Sequence, residues 1–115
     1  MSAPGGRSRV TSHVLDATTG RPAVGVGVRL EVRDGDGWSA VATATTDDDG
    51  RASTLGPAEL DPGVYRVVFD TARYFAGRPS FYPEVAIAFD LADPGEHYHV
   101  PLLLSPFGYS TYRGS

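Results

Sequence analysis

At 115 residues, with 41 % apolar and 21 % charged side chains, the chain has the size and composition of one folded domain with a modest core, which argues against a disordered segment. A formal net charge of −4 and the lack of any basic stripe leave no electrostatic reason to hold nucleic acid. The absence of cysteine removes disulfides, thiolate nucleophiles and cysteine-based metal sites, and no apolar run reaches the roughly 18 residues of a membrane helix.

Residues 1–9 read as a flexible N-terminal tail, with Gly5, Gly6, Arg7 and Arg9 and no apolar stretch behind them. No secretory signal is therefore expected, and the cytoplasm is the default compartment. Residues 10–115 form the domain. Val10 to Asp16 is a first strand, followed by a turn at Thr18-Thr19-Gly20-Arg21-Pro22. Val24, Val26, Val28, Leu30 and Val32 alternate with Gly25, Gly27, Arg29 and Glu31, a period of two that marks a strand over residues 24–32. Asp34-Gly35-Asp36-Gly37 is a hairpin turn and Trp38 to Thr46 the returning strand. After a second turn at Asp47-Asp48-Asp49-Gly50, a short strand runs from Arg51 to Leu55 and another from Val64 to Asp70. Thr71 to Gly77 is the one expected helix, ended by Gly77 and Pro79. Strands over Tyr82–Leu91 and His97–Ser105, split by Asp93-Pro94-Gly95, and a last short one over Gly108–Arg113 complete the chain. Short strands with regular turn signals predict an all-β sandwich or barrel.

Strand parity places the polar chemistry. In the His97–Ser105 strand, Tyr98, Val100, Leu102 and Leu104 share the core face, so His97, His99, Pro101 and Leu103 point away. In the first strand Val10 and Val14 face the core, which turns His13 and Leu15 outward. An outer sheet face is open, whereas small-molecule sites are concave. Histidines that act there imply that a second subunit covers them, and outward Leu15 and Leu103 point the same way.

Each candidate also has a bland reading. His13 alone is a surface histidine on a strand. His97 and His99 have the spacing of two metal ligands, yet no third ligand is obvious, so no metal is assigned. Arg51 follows three aspartates and is either a solvated ion-pair partner or a clamp for a carbonyl or anion. The ending Tyr109-Ser110-Thr111-Tyr112-Arg113-Gly114-Ser115 carries aromatic residues almost to the terminus, where frayed polar residues are usual, and reads as a docked tail. No Gly-x-Ser-x-Gly elbow supports a serine nucleophile.

Three segments together resemble the transthyretin-related protein family, whose enzymes are 5-hydroxyisourate hydrolases: Ser12-His13-Val14-Leu15-Asp16 with Gly20-Arg21-Pro22-Ala23, Thr46-Asp47-Asp48-Asp49-Gly50-Arg51, and His97-Tyr98-His99-Val100-Pro101-Leu102-Leu103-Leu104-Ser105-Pro106 running to Tyr112-Arg113-Gly114-Ser115. Phe81-Tyr82-Pro83-Glu84-Val85 also fits. The resemblance implies a two-sheet, transthyretin-like (prealbumin-like) β-sandwich of about eight strands with one short helix. It implies a homotetramer, a dimer of dimers with its sites in a channel between dimers. The implied reaction is hydrolysis of 5-hydroxyisourate to 2-oxo-4-hydroxy-4-carboxy-5-ureidoimidazoline in urate degradation, by water attack on a cyclic amide, with no metal or organic cofactor. The implied catalytic set is His13, Arg51, His99 and Ser115, with substrate contacts from His13, Arg51 and Tyr112. One histidine takes a proton from water and the other serves the leaving nitrogen, and the sequence does not say which. The competing function is a transthyretin-like module that binds a small aromatic ligand without catalysis. The joint presence of His13, Arg51, His99 and the terminal tetrapeptide favours the enzyme.

Overall fold

A computed structural model describes residues 7–115. The chain folds as two sheets packed face to face with one short helix, as the resemblance implies. One sheet runs β2(Arg21–Pro22)-β1(Val10–Asp16)-β8(Tyr98–Ser105)-β9(Gly108–Thr111), with β5(Arg51–Ala52) also paired to β1. The other runs β4(Gly37–Thr45)-β3(Gly27–Asp34)-β6(Gly63–Phe69)-β7(Val85–Leu91), and α1(Thr71–Tyr74) follows β6. No helix among the described residues is long and apolar enough to cross a membrane.

The period-two pattern builds the core. Val10 and Val14 of β1, Val28 and Leu30 of β3, Val67 and Phe69 of β6 and Leu102 and Leu104 of β8 all turn inward and are buried. Fully burying side chains of this size contributes about 1.5–3 kcal/mol each before entropy is counted. Tyr65 of β6, Phe89 of β7 and Tyr98 of β8 form a row of aromatic rings, with 6.3 and 6.0 Å between successive centroids.

Several elements differ from the sequence reading. The valine alternation from residue 24 does not begin a strand. Gly25 holds φ at +81°, Val24 is half exposed, and the ladder starts only at Gly27. The β3–β4 hairpin turns on Gly35, whose φ of +61° suits the first central position of a II′ turn. Within that hairpin the register shifts between Leu30 and Glu31, leaving Val41 as the extra residue of a bulge. The strand expected to reach Leu55 stops at Ala52, the helix ends at Tyr74 rather than Gly77, and the Tyr82 strand begins at Val85. Arg21 and Pro22, read as part of a turn, pair with Asp16 and Leu15 as a ninth strand. Of the expected tail, Met1 to Gly6 lie outside the described residues. Arg7 to Arg9 lie against the sandwich: Ser8 is buried and donates to Gly56 O at 2.7 Å, and Arg9 donates to Ala58 O and Glu96 O.

Two pairings position the site. β1 and β8 run parallel, bringing Thr11 opposite His99 and His13 opposite Pro101. β5 pairs antiparallel to β1, bringing Arg51 opposite His13.

Candidate active site

The outer face of the β1–β8 sheet carries what parity expected of it. Tyr98, Val100, Leu102 and Leu104 are buried inward, while His97, His99 and Leu103 are half-buried on the other side. His13 and Leu15 are half-buried on the outer side of β1, and Leu15 pairs directly with Leu103. Pro101 shares that outer face but is buried, because the C-terminal tail lies over it and Thr111 donates from its hydroxyl to Pro101 O.

The turn before β5 aims Arg51. Asp47 accepts the backbone N–H groups of Asp49 and Arg51 on its carboxylate, at 2.9 and 3.0 Å. The Arg51 N–H bond is the main reason its carboxyl sits below the usual aspartate range. Gly50 holds φ at +77°, and a Cβ there would meet Val14 O at 2.4 Å, so the turn requires glycine. The carboxylate thus binds backbone, and Arg51 makes no salt bridge to Asp47, Asp48 or Asp49 among the described residues. The guanidinium is left for something else. His13 is tied to the same turn, its Nε2 donating to Asp49 O at 2.8 Å.

The tail is docked as the sequence suggested. Beyond β9 the chain stays in register: Gly114 bridges to His99, its N–H donating to His99 O at 2.9 Å. Arg113 pins it, donating to Glu96 Oε1 at 2.8 Å and to His97 O at 3.2 Å, with its guanidinium 4.5 Å over the Tyr98 ring. Gly114 packs flat on the catalytic candidate. A Cβ at this position would come 2.5 Å from His99 Cδ2 and 3.1 Å from Pro101 Cγ. Its glycine is demanded by close approach, a signal the sequence reading missed.

These contacts gather Arg51, His99 and Ser115 around one cavity of ≈ 200 Å³, together with Arg7, Thr11, Ser12 and Ser53. His13 stands one cross-strand pair away, on the same face. Tyr112 is not in this cavity. It lies exposed along a separate apolar cleft of ≈ 270 Å³ with Ile87, Phe89, Tyr98, Val100 and Arg113, and His99 borders both. Burial, then the Arg51 cation, holds the His99 pKa below the ordinary histidine value. Burial and Arg7 do the same for His97. Both shifts favour the uncharged ring. Neutral imidazoles beside a free guanidinium suit proton transfer and the stabilisation of carbonyl charge. Among the described residues no cluster of three His, Cys, Asp or Glu is placed to hold a metal. His97 and His99, 6.4 Å apart between ring centroids, meet edge to face.

Comparison with known proteins gives the family and the fold. A model described as the HIUase/Transthyretin family matches residues 10–114. A 5-hydroxyisourate hydrolase of Salmonella dublin is 47 % identical over 118 residues, covering 100 % of this chain and 87 % of its relative. Among solved structures, the 5-hydroxyisourate hydrolase of Klebsiella pneumoniae superposes with a TM-score of 0.82 at 38 % identity, covering 92 % of this chain and 98 % of its own. Transthyretin from Sparus aurata gives 0.86 at 35 % identity, covering 94 % and 97 %.

Proposed function

The chain belongs to the HIUase/transthyretin family, and on that premise we propose that it is a hydrolase that opens 5-hydroxyisourate to 2-oxo-4-hydroxy-4-carboxy-5-ureidoimidazoline in urate degradation. One observation carries the choice of enzyme over carrier: Arg51, His99 and Ser115 converge on a single polar cavity beside His13. A site for passive capture of an aromatic ligand has no use for a free cation and two histidines on one small face.

Hydrolysis of a cyclic amide needs an activated water and a place for negative charge on the carbonyl oxygen. His13 and His99 handle the proton and the hydrogen bonding. Arg51 holds the substrate's carbonyl oxygens and stabilises the oxyanion. Ser115 orients water or a histidine through its hydroxyl or terminal carboxylate. Direct attack by water needs no covalent intermediate, metal or organic cofactor.

A homotetramer built as a dimer of dimers completes the site. Support comes from the Leu15–Leu103 pair on the face that carries His13 and His99, and from exposed Phe107, Tyr109 and Tyr112 nearby in the chain. Tyr112 then contacts the planar heterocycle where subunits meet. The enzyme works in the cytoplasm, on a small molecule alone, with neither nucleic acid nor membrane as partner. The test is spectroscopic. The protein is added to freshly generated 5-hydroxyisourate and the ultraviolet decay followed. Clear acceleration over the spontaneous rate is expected, and an unchanged rate would return the chain to the binding-module reading.

A further inference from the structure

The segment before β1 puts a second cation into the cavity. Ser8 and Val10 turn inward and are buried, so Arg7 falls on the same outer face as Thr11 and His13. The chain that presents Arg7 is pinned. The buried Ser8 hydroxyl donates to Gly56 O. The Arg9 N–H donates to Pro57 O at 2.9 Å, and Arg9 O accepts from the Tyr98 N–H at 2.9 Å.

The head of Arg7 rests on the cavity wall. One terminal nitrogen lies 2.7 Å from His97 Nδ1 and 3.2 Å from Nε2, which places it over the imidazole face, where a cation sits on an aromatic ring. Its other side-chain N–H groups have no partner among the described residues. The Thr11 hydroxyl bridges His97 and His99 at 2.9 and 2.8 Å, so Arg7, His97, Thr11 and His99 form one continuous wall. Arg51 lines the same cavity, and no Asp or Glu does. Neither guanidinium has an ion-pair partner among the described residues. Two cations that share a cavity repel each other, and an anion between them relieves the repulsion.

We propose, building on the hydrolase reading above, that Arg7 pairs with Arg51 to hold a carboxylate, the group that hydrolysis creates in the cavity. Arg7 precedes residues 10–114, the part of the chain that the family model matches, so membership of the family does not assign it. In the reaction the water oxygen bonds to the carbonyl carbon and the carbon–nitrogen bond breaks. One water proton ends on the leaving nitrogen, and the new carboxyl group gives up the other to solvent. A neutral amide thus becomes a carboxylate, and the two cations meet negative charge that grows along the reaction. The guanidinium fork matches the two oxygens of a carboxylate.

The test uses orotate and uracil, planar cyclic ureides of which only orotate carries a carboxylate, titrated calorimetrically into the full chain at low salt. The wild-type protein is expected to bind orotate about tenfold more tightly than uracil. Arg7→Gln is expected to lose about tenfold in orotate affinity and nothing in uracil affinity. Arg7→Lys, which keeps the charge without the fork, is expected to recover part of that loss. The inhibition constant of orotate against 5-hydroxyisourate hydrolysis should move by the same factors. The proposal is overturned if the wild-type protein binds orotate no better than uracil. It is overturned as well if Arg7→Gln keeps its orotate affinity, as it would were Arg7 engaged by the Ser115 carboxylate. An equal loss for both ligands also overturns it, since Arg7 would then shape the wall without holding a charge. If the wild-type protein fails to hasten 5-hydroxyisourate decay yet prefers orotate through Arg7, the hydrolase reading falls and the carboxylate site stands.

Discussion

The outer face of the β4-β3-β6-β7 sheet satisfies its own charges. Glu31 accepts from Arg66 at 2.7 Å and from Arg29 at 3.1 Å, and Trp38 is flanked by the guanidinium groups of Arg66 at 4.3 Å and Arg33 at 5.0 Å. The outer face of the β1–β8 sheet does the reverse. It sets Arg51 without an ion pair among the described residues beside half-buried histidines and the Leu15–Leu103 pair, and its one ion pair there, Arg113 to Glu96, ties down the tail. Both faces are strands with alternating side chains. The difference is that one face pairs its charges within the chain, whereas the other leaves Arg51 unpaired among the described residues beside half-buried histidines. Unused hydrogen-bonding capacity, more than charge, distinguishes the face proposed to carry the chemistry.

The largest effect that tests this contrast is on turnover. His99→Ala is expected to reduce hydrolysis of 5-hydroxyisourate by roughly two to four orders of magnitude while the circular dichroism spectrum stays that of a folded sandwich. Arg66→Ala, on the closed face, is expected to leave turnover alone. If the two variants lose activity alike, the faces are not functionally distinct.

Next in size is the tail. Removing residues 112–115 is expected to leave a folded protein with little activity, and an unfolded product would make the tail structural instead. Gly114→Ala isolates the mechanical part. The added methyl must displace the His99 ring, since its contact with Cδ2 at 2.5 Å cannot be kept. A displacement of this order costs about tenfold to a hundredfold in kcat. Wild-type kcat in Gly114→Ala would show that the ring and tail shift together at no cost to the site.

The core and the all-β class were legible because side-chain alternation is a local property, the two-sheet arrangement came from the family resemblance, and parity alone oriented His13, His97 and His99 correctly. What failed was non-local or depended on backbone angles. Nothing in Arg21-Pro22 marks a two-residue strand, since both side chains are exposed and only the pairing with β1 defines it. The strand at Val24 was lost to the φ of Gly25. The candidate residues could be named from the sequence, yet their assembly could not. Arg51 reaches His13 through a β1–β5 pairing, and Thr11 reaches His99 through a parallel pairing across 88 residues. Tyr112 and Ser115, three residues apart in the tail, line different cavities. Thr11 carried one signal that could have been used, its position two residues before His13 on the same face.

The smallest effects concern stability, and they separate the faces by pH. On the open face His97 and His99 have folded pKa values below the unfolded value of about 6.5. Between the two values the unfolded chain binds more protons, so stability falls as pH drops from about 6.5 toward the folded values. On the closed face Glu31 is held below 4.5, mainly by its bond from Arg66. Its contribution is intact above about 4.5 and is lost only as pH falls toward its lower folded value. Urea midpoints measured from pH 7.5 to 3 are therefore expected to show two descending limbs. His97→Asn makes the upper limb shallower, His99 keeping its share, and leaves the lower. Glu31→Gln leaves the upper limb and makes the lower one shallower, Asp16 and Asp47 supplying the remainder, and it lowers stability at pH 7 by about 1 kcal/mol, the scale of a partly exposed charge-assisted pair, with turnover unchanged. A single limb that both variants make shallower would mean that the two faces titrate as one network, and the contrast between them would fail.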